Sequence, residues 1–239
     1  MRYLGLIAFG IVFILSGLAA RGLAGSSGGH IELGQLLLMG GYPLVSAMLL
    51  LGWLLGRYPL IATLVLLAGV ISRDRHNGHA RIYASRPTTM LRIYAPRVLL
   101  LAFSAFLLSA ILMPTFDVIM LGQWNGPSTL VLIACYVIAY TGLITLLSVF
   151  TRGEAWLTLL LAVTAMVWDA LRRGGLLDNA PPGIAQVVAF ILPPQGALFR
   201  VETAFAEMQP LPWASVGYVI GYGVVTLIAA AVFLEDREL

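Results

Sequence analysis

The chain has 239 residues and a formal net charge of +3, with 60% apolar residues, only 10% charged residues and a mean hydropathy of +0.94. Soluble domains average about 45–50% apolar and about 25% charged residues, so a soluble globular protein is excluded and an all-α integral membrane protein is expected. All fourteen basic residues are arginine; without a lysine the glycine-rich stretch GLAGSSGG, which starts at Gly22, cannot be an ATP-binding P-loop, and an arginine excess seated beside apolar runs argues against nucleic-acid binding.

In chain order, apolar stretches near 3–22, 36–56, 58–73, 98–116, 129–150, 155–171 and 213–234 approach the roughly 20 residues that a helix needs to cross hydrocarbon. The first, YLGLIAFGIVFILSGLAA, has the length of a bilayer-crossing helix and is expected as retained structure rather than as a cleaved leader. Residues 36–73 allow two readings. Two spans hinged at Gly56-Arg57-Tyr58-Pro59 make seven in all; one long kinked span preceded by a half-helix around GQLLLMGGYPL makes six. The first keeps Arg57 away from mid-membrane, where a lone arginine costs about 2.5–3.5 kcal/mol on insertion scales.

Residues 73–97, RDRHNGHARIYASRPTTMLRIYAPR, gather six arginines and one acid, Asp74. Such a concentration places this connection on the cytoplasmic side, and alternation of the later spans then puts the carboxyl terminus in the cytoplasm too. Residues 172–212 are too polar and too proline-broken for a lipid-exposed span. They read as an extracytoplasmic loop with a short re-entrant or interfacial helix at IAQVVAFIL, with Arg172 and Arg173 reaching lipid headgroups. The 73–97 segment also has internal order: Gly78 breaks its polar start, ARIYASR makes about two helical turns, Pro87 interrupts, and TTMLRIY resumes before Pro96 and the next span. Two short helices joined at a proline are expected, the second with Leu91 and Tyr94 on one face and Arg92 on another.

At these residues the chain resembles the ABC-2 class of ATP-binding-cassette transporter permeases. Asp74, Gly78, Tyr83, Ser85, Arg86, Pro87 and Tyr94 stand where the family's cytoplasmic loop has its Asp, its Gly, its aromatic-Leu-Ser-Arg-Pro run and its Tyr; the family's Gly-Lys before the next span is Pro96-Arg97 here. FLEDREL at 233–239 is similar to the polar tail after the family's last span. The resemblance implies a six-span permease fold forming a single transmembrane domain over 1–239, with 36–56 as a seventh span or half-helix in the alternative. It also implies pairing with a second permease, identical or different, and docking of cytoplasmic ABC ATPase subunits that carry ATP and Mg. The chain itself then holds no cofactor and is not an enzyme. Asp74, Arg75, Gly78, Arg81, Tyr83, Ser85, Arg86, Pro87, Arg92 and Tyr94 would form the contact with the ATPase, and the protein would lie in the cell membrane, surrounded by lipid. The alternative function is a polytopic scaffold or regulatory subunit without transport activity.

Other groups carry weaker readings. Asp117 and Asp169, near span ends, are candidates for a substrate path or for ordinary interfacial hydration. Glu154 is read as a solvated turn residue, as a partner of Arg152 or as a support for docking. The HNGH stretch lacks the spacing of a helical metal site, and none is expected. Ser104, Ser109 and Ser148 have no histidine base in view and are expected to bond to their own helices. Cys135 reads as a small core or lipid-facing residue, and Gly217-x-x-x-Gly221 as a spacing that lets helices approach.

Overall fold

The computed structural model describes residues 4–8, 10–11, 56–77, 89–121, 124, 126–175, 188, 191–207 and 209–236. The helices among them are α1 (Tyr58–Leu67), α2 (Ser72–His76), α3 (Met90–Leu121), α4 (Ser128–Phe150), α5 (Glu154–Arg173), α6 (Gln195–Ala206) and α7 (Trp213–Asp236). Four of them, α3, α4, α5 and α7, are long and apolar enough to cross a membrane, and the chain is a multi-span helical membrane protein. The stretches expected as spans at 3–22 and 36–56 lie largely outside the described residues.

Helix α4 forms the axis. Within its apolar window 61% of residues are buried, against 28%, 22% and 22% for α3, α5 and α7, and α1, α3, α5, α6 and α7 all pack on it. The outer helices turn rows of apolar side chains away from the bundle: Leu99, Phe103, Leu107 and Ile111 on α3, Leu160, Val163 and Val167 on α5, and Val225, Ile228 and Val232 on α7. Residues three and four apart share a helix face, and exposed apolar stripes of this length suit hydrocarbon rather than water. Cys135 faces the core, fully buried.

Among the described helices, α4 and α7 come into backbone contact. A Cβ on Gly223 would sit 2.6 Å from the Ile138 carbonyl oxygen, and one on Gly142 would overlap Thr226 and the Gly223 carbonyl. Gly142 and Gly223 therefore set this approach. Gly217 and Gly221 have open space where a Cβ would be, so the expected small-residue pair faces away from the contact and its neighbour Gly223 makes it.

Two expectations change at the 73–97 end. The helix expected to end before Pro96 does not stop there; from Met90 it is the first part of α3, which runs unbroken through Pro96 and Pro114. Proline removes one intrahelical bond, but continuing the helix seats Tyr94 and Val98 in the core, 1% and 5% exposed. The 32 residues of α3 extend about 48 Å, longer than a hydrocarbon layer of about 30 Å, so one end of α3 must project beyond it. The second change is at 58–73, where one apolar run becomes two helices. Helix α1 spans only 10 residues; the chain turns at Gly69, whose φ of +73° is strained for any residue with a Cβ, and restarts as α2.

The short helix α6 begins directly after Pro193-Pro194, where proline's fixed φ and missing N–H suit a helix start. Gln195 meets Tyr140 and Glu202 meets Tyr136. Tyr140 lies about 18 Å along α4 from Ser128 at 1.5 Å per residue, so α6 starts about halfway down α4 and runs back toward the start of α7, where Arg200 bonds to Ser215 at 2.9 Å. The apolar patch IAQVVAFIL, expected to hold the helix of this region, lies mostly outside the described residues.

Candidate functional site

At one end of the bundle, helices α2, α3, α4, α5 and α7 converge; Phe150 of α4 and Phe233 of α7 meet edge-to-face there, with ring centroids 5.1 Å apart. Glu154 organises this end. It opens α5 after the turn Thr151-Arg152-Gly153, is 1% exposed, and accepts hydrogen bonds from the backbone N–H of Gly69 and, at 2.8 Å, from the hydroxyl of Ser72. A buried carboxylate needs such donors to offset lost hydration. It thereby ties the α1–α2 break to the start of α5. Arg152 is exposed, and Glu154 reaches across the bundle instead of pairing with it.

Arg75 of α2 donates to the carbonyl of Val149 in the last turn of α4, an acceptor that a helix end leaves unsatisfied. Asp74 of α2 pairs with Arg97 of α3 at 2.9 Å, joining the two ends of the 73–97 segment directly. Tyr94 is buried beside Arg97, whose guanidinium lies 6.0 Å from the ring centroid. Arg92 is exposed. Of the segment's ten singled-out residues, Asp74, Arg75, Arg92 and Tyr94 are thus placed at its two feet; Gly78, Arg81, Tyr83, Ser85, Arg86 and Pro87 lie outside the described residues.

A second polar group lies inside the bundle. The Arg57 guanidinium, just before α1, forms an ion pair with Glu202 of α6 and donates to the Tyr136 hydroxyl, which in turn donates to Glu202. Tyr136 stacks on Tyr140 at 6.1 Å between centroids and 9° between planes, and Tyr140 accepts from the Gln195 amide. Tyr136 and Tyr140 are fully buried, and the Arg57 and Glu202 side chains are 14% and 20% exposed. The arrangement ties the start of α1 and α6 to each other and to α4. Sequence reasoning treated Arg57 as a cost to be avoided at depth and passed over Glu202; the readable signal was a lone arginine in one apolar run and a lone glutamate inside another stretch of helix.

Asp117 and Asp169 are not brought together. They lie on α3 and α5, each packed on α4 and with little contact between themselves. One oxygen of Asp117 is buried without a hydrogen-bond partner among the described residues, whereas Asp169 pairs with Arg173 at 2.9 Å. Ser104 and Ser109 bond at 2.8 Å to the carbonyls of Leu100 and Ala105, and Ser148 at 2.6 Å to that of Thr145, as expected of serines in apolar helices. Comparison of the chain with family profiles, curated proteins and solved structures finds no match.

Proposed function

We propose that this chain is the membrane subunit of an ATP-binding-cassette transporter of the ABC-2 class, driven by ATP hydrolysed in a separate cytoplasmic subunit. The observation that carries this reading is the double anchoring of the 73–97 segment. Its first foot is held by Arg75 on α4 and, through Ser72, by Glu154 on α5; its second is the start of α3; and Asp74 with Arg97 closes the neck between them. A segment so fixed passes displacement to α3, α4 and α5 together, which a lever requires and a passive charge anchor does not.

In this reading the part of the segment carrying Arg81, Tyr83, Ser85, Arg86 and Pro87 seats in the ATPase. ATP binding draws two such segments together and tilts the attached helices, opening a path between two permeases. ATP and Mg belong to the partner, and the cargo is carried by the paired membrane subunits. The test is purification of the tagged chain from its native membrane. A nucleotide-hydrolysing subunit should accompany it in stoichiometric amount, and Arg86→Glu should release that subunit while the chain still folds. Recovery of the chain with no such subunit, or retention of the subunit by the Arg86→Glu variant, overturns the reading and favours a scaffold.

A further inference from the structure

We infer that the cleft between α5, α6 and α7, at the end of the bundle remote from α2, binds the phosphate of an anionic lipid headgroup. The cleft measures about 670 Å³ and is lined by Arg172, Arg173, Arg200 and a single acid, Asp169. Three guanidiniums less one carboxylate leave a formal charge of +2.

The roles of these groups differ. Asp169 and Arg173 satisfy each other at 2.9 Å, and the Arg173 guanidinium is flattened on the Phe199 ring, 3.6 Å from its centroid. The Asp169 carboxylate also occupies the start of α6: a Cβ on Gly196 would lie 2.6 Å from its Oδ1. A carboxylate at a helix start is stabilised by the amide dipoles there, so this anion is internal and belongs to the fold. Arg172 makes no side-chain hydrogen bond or ion pair with a described residue, and Arg200 uses its Nε on Ser215 at 2.9 Å, which leaves its terminal amino groups without an acceptor among the described residues. Both side chains are exposed. Two open guanidinium forks on one cleft suit a phosphate, which accepts paired N–H donors.

The level of the cleft favours a lipid as the source. Arg172 and Arg173 are the last residues of α5, and Trp213, 68% exposed, opens α7. Arginine and tryptophan at the ends of spans mark the headgroup layer. The floor, from Ala165, Leu192, Pro193 and Pro194, is apolar and offers a surface to glycerol and the first acyl carbons. The site stands whether or not the chain is a transporter subunit.

The full chain, delipidated in detergent, is examined by native mass spectrometry with phosphatidylglycerol, with phosphatidylcholine and with glycerol 3-phosphate. A one-to-one phosphatidylglycerol adduct is expected, favoured over phosphatidylcholine and weakened about fivefold by Arg172→Gln and again by Arg200→Gln, with Arg152→Gln at the opposite end unchanged. Binding of glycerol 3-phosphate alone, lost in the same two variants, would keep the phosphate site but overturn the lipid source. Equal adducts in the wild-type chain and the double variant overturn the site. On the unaltered chain, phosphatidylglycerol should protect Arg172 and Arg200, but not Arg152, from phenylglyoxal; uniform modification of all three is likewise fatal to it.

Discussion

Single side chains at the ends and in the middle of the bundle differ sharply in what they are worth. Glu154 is buried and its Oε1 accepts two hydrogen bonds, so Glu154→Ala leaves the Gly69 N–H and the Ser72 hydroxyl without their acceptor. We expect a loss of about 2–3 kcal/mol, read as a lowered midpoint of thermal unfolding in detergent, with Glu154→Gln losing less because an acceptor oxygen remains. Asp74→Asn should cost under about 1 kcal/mol in the same assay, because its Arg97 partner is 46% exposed and solvent screens the pair. Arg57 and Glu202 are better shielded. Arg57→Leu alone strands the Glu202 carboxylate and should cost about 2–4 kcal/mol, whereas Arg57→Leu with Glu202→Leu should recover much of that loss. Additive losses in this double-mutant cycle would mean that the two groups do not act as a pair. Arg57 was a liability when read one residue at a time, because its partner lies on a helix far along the chain.

Among the helices, the α4–α7 contact depends on backbone approach. Gly223→Ala forces a methyl onto the Ile138 carbonyl and should destabilise the bundle by about 1–3 kcal/mol, as overpacking does, while Gly217→Ala meets open space and should leave the unfolding midpoint within measurement scatter. The reverse order would place the contact on the other face of α7. The same contact shows why a glycine spacing misled: Gly217 and Gly221 share a face at i, i+4, but the rotation of α7 about its axis is set by what packs on α4. The α1–α2 break has a comparable cause. The run from Tyr58 to Ile71 is apolar but for Thr63, and the turn at Gly69 is held by a carboxylate 85 residues away. Gly69→Ala should therefore destabilise by about 1–2 kcal/mol through its left-handed backbone, even though it adds apolar surface.

For the whole molecule, the arginine distribution predicts which end faces the cytoplasm. The single cysteine, Cys135, is fully buried, so engineered cysteines can be labelled against a quiet background. A membrane-impermeant maleimide should miss Arg152→Cys in intact cells and reach it in inverted vesicles, and Trp213→Cys should behave oppositely. Labelling of Arg152→Cys from outside would reverse the orientation and separate the 73–97 segment from any cytoplasmic motor. At this scale the bundle has two contrasting ends: the charged feet of the 73–97 segment at one, and the guanidinium-lined cleft at the other. The Arg57–Tyr136–Glu202 group lies between them, and α6 reaches from it to the cleft.

Spans were readable because crossing hydrocarbon demands about 20 consecutive apolar residues whatever the fold: α4, α5 and α7 fall within a few residues of 129–150, 155–171 and 213–234. The helix with α3 was readable in its apolar part and missed at its start, since Pro96 is a local stop signal that the burial of Tyr94 and Val98 outweighs. The prominence of the 73–97 segment was likewise written in its arginines. The tertiary structure alone decided that Glu154 is buried, that Arg57 meets Glu202, and that Asp169 belongs to Arg173 and the start of α6. Apolar runs report their solvent one residue at a time, whereas the partner of a buried charge is chosen by the packing of helices distant in the chain.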